Sequence, residues 1–399
     1  MLKPSESTKQ SRQVARLLQR QRVVHLLRTS GPLARADLAD RLGLPRPSIT
    51  TLVADLIDDG TLVELESRIE GVNSRGRPRI LLDCNPEARR VLGIRIDGIR
   101  ARVILADATG NISDEGETPT GDRDPAAVIR SITRIAKKLM SGSTGKPASV
   151  VGVCIPGLVD DTTGLVIASH EVGWTNVELG KVLSRDLGIP VAVQDTTKAI
   201  TLAETIAGAA REARSAVVID HGGRLGVGLI IDGRPYAGST GVAGAIGHVP
   251  VYGSTASCRC GRTGCMEADM SMYAMQAAAP QTIGKTYDEV DIDALRRENA
   301  GNEQSQNIIR DVIDRVAHTA TMIEALLDPE LVIVGGLITD FDELADALVA
   351  RIDELRSPER QGRTTTVRST IGRDAPIAVI VALQQLDPDI AGMLHTANA

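Results

Sequence analysis

Gly241-Val242-Ala243-Gly244-Ala245-Ile246-Gly247-His248 is followed, ten residues past that histidine, by Cys258-Arg259-Cys260-Gly261-Arg262-Thr263-Gly264-Cys265-Met266-Glu267. Three of the chain's five cysteines fall in this second stretch. The other two, Cys84 and Cys154, sit far away in apolar, strand-like surroundings. In a reducing compartment such a cluster reads as metal-binding before it reads as disulfide. A Cys-x-Cys-x4-Cys run with a preceding histidine offers four soft or borderline donors, the tetrahedral set that Zn²⁺ prefers. Gly261 and Gly264 permit the tight turns that bring three thiolates together. Free thiols in a loop are the plainer alternative.

On either side of this stretch the chain alternates strands and helices. Val91-Leu92-Gly93-Ile94-Arg95-Ile96-Asp97-Gly98 opens a hairpin that returns through Ala101 to Asp107. An amphipathic helix is expected at about 125–140, then a buried strand, Val150 to Ile155, ending in Pro156-Gly157. A second round begins at Ala216-Val217-Val218-Ile219-Asp220 and runs through a glycine-rich turn to Gly233. Two such rounds predict an α/β protein with two similar lobes and a cleft between them. The amphipathic stretch Ile308 to Leu327 suits core packing or self-association.

These segments together resemble the ROK family (repressors, open reading frames and kinases), over nearly the whole chain. The histidine–cysteine stretch is the most specific part. The resemblance implies a two-lobed, actin-like sugar-kinase fold of the ribonuclease H-like kind. It also implies a structural zinc held by His248, Cys258, Cys260 and Cys265, with no ligand position left for water. A division follows: residues 1–85 as a head, 86–195 as lobe 1 and 196–380 as lobe 2 with the zinc site. A terminal helix at about 381–399 is expected to pack back on lobe 1.

The family's sugar pocket maps onto Gly157, Gln194, Asp195, His248 and Glu267. Asp195 matches the general base of the family's kinases, which takes a proton from the attacking hydroxyl. In a sensor the same carboxylate accepts a hydroxyl hydrogen bond, and it also suits a plain cap on a helix at 197–208. His248 could serve zinc alone. Two positions depart from the family pattern: Gln194 replaces an asparagine, and Ala245 replaces a glutamate that would grip a sugar hydroxyl. The phosphate loops depart further. The kinases' Asp-x-Gly-Gly-Thr reads Arg95-Ile96-Asp97-Gly98-Ile99, and Gly-Thr-Gly-x-Gly reads Gly222-Gly223-Arg224-Leu225-Gly226. Phosphoryl transfer depends on positioning and charge neutralisation. With both loops altered, no catalysis is expected.

The first eighty residues read as a DNA-binding module. A helical stretch at 12–29 ends at Gly31-Pro32. A short helix, Arg35 to Leu42, and the turn Gly43-Leu44-Pro45 lead to a third helix at about Pro47 to Asp59. Ile49, Leu52, Val53, Leu56 and Ile57 recur on one face of that helix. Helix, tight turn, helix is the arrangement whose second helix enters the major groove N-terminus first. That N-terminus carries Arg46, Ser48, Thr50 and Thr51, all able to donate hydrogen bonds. A hairpin of Leu62–Leu65 and a returning strand, Arg79 to Leu82, would form a wing whose loop holds Arg68, Arg75 and Arg77. Gly76-Arg77-Pro78 resembles the family's repressor branch, such as the N-acetylglucosamine and xylose repressors. A small protein-binding helical domain is the alternative.

Charge agrees with this division. The net charge is −6, yet the first 80 residues hold 14 Lys/Arg against 9 Asp/Glu, and the remainder 31 against 42. A basic head on an acidic body suggests that the head alone meets a polyanion. No run of about 20 apolar residues is present and the polar start lacks a signal-peptide core, so a cytoplasmic location is expected. The expected function is sequence-specific transcriptional regulation, most often repression, of carbohydrate-related genes. The expected partners are an inverted-repeat operator in double-stranded DNA and a sugar or sugar-derivative effector, bound by a homodimer or homotetramer. An active sugar kinase with a fused head and a ligand-blind regulator are the alternatives.

Overall fold

The computed structural model describes residues 19–20, 22–24, 26–27, 30–58, 60–65, 80–85, 89–121, 124–142, 147–277, 303–372 and 376–386. In the head, β1 (Leu33–Ala34) leads into α1 (Arg35–Leu42), then α2 (Arg46–Asp58) and the strands β2 (Leu62–Leu65) and β3 (Leu81–Cys84). Gly43 closes α1 in the left-handed region (φ 62°), where a side chain would be strained. The strands form one small antiparallel sheet in the order β1-β3-β2. Leu38, Leu42, Ile49, Val53, Leu56, Leu62 and Leu82 bury together with Cys84, so that cysteine is a core residue. The returning strand differs from the expected Arg79–Leu82: its pairs run from Leu65↔Leu81 to Leu62↔Cys84. Most of the helical stretch at 12–29 and the wing-loop arginines Arg68, Arg75 and Arg77 lie outside the described residues.

The body repeats one topology twice. Lobe 1 comprises β4 (Arg90–Ile96), β5 (Arg100–Asp107), β6 (Ile112–Pro119), α3 (Pro125–Gly142), β7 (Ala148–Ile155), β8 (Leu158–Asp160), β9 (Leu165–Ser169), β10 (Trp174–Val177), α4 (Leu179–Leu187) and β11 (Val191–Asp195). Its main sheet runs β11-β7-β4-β5-β6, an antiparallel meander continued by two parallel strands. Strands β8 to β10 make a small antiparallel sheet of their own. After α5 (Thr196–Ala207), lobe 2 has β12 (Ala216–His221), β13 (Leu225–Ile231) and β14 (Arg234–Pro235). It continues with α6 (Met266–Met270), α7 (Met272–Ala277), α8 (Glu303–Leu327), β15 (Leu331–Gly335), α9 (Asp342–Leu355) and β16 (Thr365–Arg368). Its sheet, β14-β13-β12-β15-β16, is again a meander followed by two parallel strands.

Each sheet is sealed by helices whose apolar residues recur at helical spacing. Val128, Ile132 and Ala136 of α3 cover Leu92, Ile94 and Leu105. In lobe 2, Val312, Val316 and Ala320 of α8 and Leu344 and Leu348 of α9 cover Val217, Val332 and Val334. Helix α8 is therefore mainly a core helix, although Met322 and Leu326 at its end are exposed. The last described helix, α10 (Ile377–Leu386), lies against β4 and β7 of lobe 1 and starts before the expected 381. Glycine permits this close approach: a Cβ at Gly152 would stand 2.3 Å from the Ala378 carbonyl oxygen. No described helix is long and apolar enough to cross a membrane.

Candidate functional site

Strand β11 delivers Asp195 to the cleft, and the next residue starts α5. Its Oδ1 caps that helix by accepting from Thr197 N at 2.9 Å. Its Oδ2 accepts from Gly157 N at 3.0 Å, so the Pro156-Gly157 turn is tied to the carboxylate. Gly157 has no room for a side chain, since a Cβ would lie 2.3 Å from Ala168 O.

From lobe 2, the turn between β12 and β13 projects Arg224 into the same place. Its Nη1 lies 3.4 Å from Asp195 Oδ2 and its Nε 3.2 Å from Glu171 Oε2, on the loop after β9. Burial alone would disfavour the Arg224 cation, but the Asp195 and Glu171 carboxylates raise its pKa, so it remains charged. Asp220, at the root of the same turn, accepts a hydrogen bond from Thr197 Oγ1 at 2.7 Å. Burial pushes its carboxyl upward, and Arg224 only partly offsets this.

Two cavities flank Arg224 and share Pro156, Glu171 and Arg224 as walls. One, about 340 Å³, is lined by Gly157, Asp195, Lys198, His248 and Glu267 together with the 241–245 loop. The other, about 430 Å³, lies between the glycine turns and is lined by Arg95, Ile99, Asp220, Gly222, Gly223 and Gly336. Four of the five residues expected in the sugar pocket thus meet at one cavity. Gln194 does not. Successive residues of a strand face opposite ways, so when Asp195 enters the cavity Gln194 turns to the far face. There its Nε2 donates to Gln384 Oε1 of α10 at 3.3 Å.

The sequence reading missed Glu171, His170 and Lys198. Lys198 pairs with Asp161 at 2.6 Å beside the cavity, and burial raises the Asp161 carboxyl. His170 meets His248 edge-on with ring centroids 5.4 Å apart. A polar His170-Glu171 pair in a short loop after a strand was the available signal, since binding groups concentrate on loops.

The metal-ligand residues converge as well. His248 ends a short 3₁₀ turn, Ile246–His248, and Pro250 pairs with Cys265 across an isolated bridge. A second bridge, Ser257↔Thr263, closes the knuckle between them, with Gly261 (φ 83°) and Gly264 (φ 74°) at its left-handed corners. Donor atoms of His248, Cys258, Cys260 and Cys265 all lie within 4.8 Å of one another. Cys258 Sγ is 3.6 Å from His248 Nδ1, and Cys260 Sγ is 3.6 Å from Cys265 Sγ. Metal–sulfur bonds of about 2.3 Å in a tetrahedron require sulfurs roughly 3.8 Å apart, so the set fits a tetrahedral ion. His248 also lines the smaller cavity, and Glu267 follows Cys265 on α6, so the knuckle builds part of that cavity's wall.

In the head, Arg46, Ser48, Thr50 and Thr51 are exposed on α2, while Ile49, Leu52, Val53 and Leu56 are buried. Thr50 and Thr51 donate to the Arg46 and Pro47 carbonyls at 2.9 and 3.2 Å. Their hydroxyls are thus free to accept, and they must rotate before donating outward.

Fold and site together define a sugar-kinase-like protein with a remodelled phosphate cleft, and the chain belongs to the ROK family, whose model matches residues 91–382. A transcriptional regulator of Mycobacterium tuberculosis is 28% identical over 394 residues, covering 94% of this chain and 87% of its own. The DNA-binding transcriptional repressor Mlc of Escherichia coli is 28% identical over 344 residues, covering 79% of each chain. Glucokinases are among the other relatives. The crystal structure of a ROK family transcriptional regulator, a homolog of E. coli Mlc, superposes with a TM-score of 0.77. At 24% identity it covers 96% of this chain and 99% of its own.

Proposed function

We propose that this protein is a DNA-binding transcriptional regulator, most often a repressor of carbohydrate-related genes, whose ROK body senses a sugar or sugar derivative without phosphorylating it. In this reading residues 1–85 are a winged helix-turn-helix head. Residues 86–195 and 196–380 are the lobes, with the last helix returning to lobe 1. Two heads of a homodimer, or pairs within a homotetramer, read the half-sites of an inverted repeat.

The observation that carries the sensing part is Arg224. A nucleotide's phosphates need an open glycine turn whose backbone N–H groups can approach them. Here that turn carries Arg224, whose guanidinium engages Asp195, the carboxylate that would have to act as base. Both carboxylate oxygens are already engaged, Oδ1 by Thr197 N and Oδ2 by Gly157 N and Arg224. The same contact supplies a route from ligand to DNA. Arg224 belongs to lobe 2, and Asp195 and Glu171 to lobe 1. A sugar hydroxyl that takes Asp195 competes with that cross-lobe pair and shifts the lobe arrangement, and with it the paired heads.

For the head, α2 supports the reading through its exposed Arg46, Ser48, Thr50 and Thr51, and the loop arginines Arg68, Arg75 and Arg77 would grip backbone phosphates. Zinc held by His248, Cys258, Cys260 and Cys265 would lock the knuckle with all four positions filled by protein. Selection of duplexes by the full-length protein at low salt should recover a two-fold-symmetric site. Arg46→Ala should weaken binding by about 1–3 kcal/mol. Retention of no duplex at low salt, or sugar-dependent consumption of ATP and magnesium at enzyme-like speed, overturns the proposal.

A further inference from the structure

Apolar side chains make up part of the smaller cavity's wall. The backbone N–H of Val227 on β13 donates to Gly244 O at 3.0 Å and pins the 241–245 loop against the strand. Gly244 makes this contact possible, since a Cβ would stand 1.7 Å from Val227 O. The result brings Val227, Val242, Ala243 and Ala245 to one wall, joined by Leu158 and Val159 of β8. Some of the cavity's charged groups are paired with one another: Arg224 with Glu171 and Asp195, and Lys198 with Asp161. Glu267, His170, His248 and Arg259 complete the polar part of the wall, whereas the side chains of Val227, Val242, Ala243 and Ala245 offer no donor or acceptor for a hydroxyl.

We infer that this cavity selects a deoxy sugar, one whose ring keeps hydroxyls toward Asp195 and Glu267 but carries hydrogen or methyl on the edge facing Val227, Val242 and Ala245. The inference rests on the sugar-sensing reading above. A hydroxyl pressed onto those side chains loses water and gains no side-chain partner, whereas a methyl group gains burial. Each such mismatch corresponds to roughly a fivefold to hundredfold loss of affinity.

The test uses the full-length protein and matched pairs: glucose and 6-deoxyglucose, galactose and 6-deoxygalactose, mannose and 6-deoxymannose, glucose and 2-deoxyglucose. Binding is read by calorimetry and by the shift of the thermal midpoint, which a true ligand raises. At least one deoxy member should bind about tenfold or more tighter than its parent. Val242→Thr keeps the shape of the wall but adds a hydroxyl partner, and Ala245→Glu adds a carboxylate. Either should narrow that preference by about tenfold or reverse it, and the second serves if the first fails to fold. Equal or tighter binding of the parent in every pair overturns the inference and leaves sugar sensing standing. Binding of no member of any pair, under conditions where the protein still retains its operator, removes the sugar reading and this inference with it.

Discussion

The cavity on one side of Arg224 and the cavity on the other are bounded by the same two lobes, yet their walls have changed in different ways. The smaller keeps Gly157, Asp195, His248 and Glu267 together and differs mainly by the absence of a carboxylate at Ala245. The larger, about 430 Å³, is bounded by glycine turns but has Arg95 and Ile99 in one turn and Arg224 in the other. Two glycines are required by the backbone. At Gly336 (φ 85°) a Cβ would meet Asp220 Oδ1 at 2.6 Å, and at Gly93 it would meet Val379 N at 2.7 Å. The residues that set the backbone's packing are thus distinct from those that give each cavity its chemistry.

That contrast breaks most severely at the metal knuckle, which supports only the smaller cavity. Cys265→Ser removes one of four donors from a nearly buried position. The variant should bind less than one metal per chain and lose stability on the order of 5 kcal/mol. Metal analysis and denaturant unfolding of the purified protein check this, and an unchanged metal content would sink the assignment. Gly244→Ala comes next. The added methyl meets Val227 O in a left-handed backbone conformation (φ 81°), so a loss of about 3 kcal/mol is expected, with sugar binding lost before operator binding. Arg224→Ala removes a charge partner of Glu171, whose side chain is only 9% exposed. Removing one partner of a buried pair costs about 3–5 kcal/mol, but Arg224 is itself 23% exposed, so about 2 kcal/mol is expected after screening. Adding Glu171→Gln should recover much of it. Arg224→Gly should still leave sugar-dependent ATP consumption at background, because Arg95 and Ile99 remain in the other turn.

Much of this was legible in the sequence because local rules and tertiary demands coincide. The helix Arg35–Leu42, the turn at Gly43 and the buried face of α2 follow from apolar spacing and a glycine stop, and the structure adds nothing that opposes them. The clustering of His248, Cys258, Cys260 and Cys265 was legible from spacing because turns fix the distances between them. What periodicity could not show was direction and distant pairing. Gln194 and Asp195 are neighbours in sequence, but strand alternation sends one to α10 and the other to the cavity. The partners of Arg224 lie 53 and 29 residues upstream, on elements that only folding brings together. The start of the returning strand in the head shifted by two residues because register is set by pairing with β2, which single-strand propensity does not encode.

The smallest effect tests how firmly the second glycine turn is anchored to the knuckle. His221 ends β12 just before Gly222 and is fully buried, with Nε2 2.6 Å from the Met270 carbonyl of α6. A carbonyl only accepts, so Nε2 carries the proton and the ring is neutral. Nδ1 is buried without a hydrogen-bond partner among the described residues, and burial lowers the pKa to about 4 from an ordinary 6.5. Below pH 6.5 the unfolded chain therefore takes up a proton that the native ring refuses. The stability this neutral histidine contributes is complete above 6.5 and is lost progressively as pH falls toward 4. Between pH 7 and 5.5 the loss amounts to about 1 kcal/mol. Asp220, raised by burial, acts in the opposite sense, because its native form takes up a proton before the unfolded form does. The informative quantity is thus the difference between the wild type and His221→Gln, which keeps a donor for Met270 but does not titrate. Denaturant unfolding across this range should show a shallower acid-side decline in the variant, and identical slopes would mean that the buried ring exchanges protons freely and that the turn is not anchored as described.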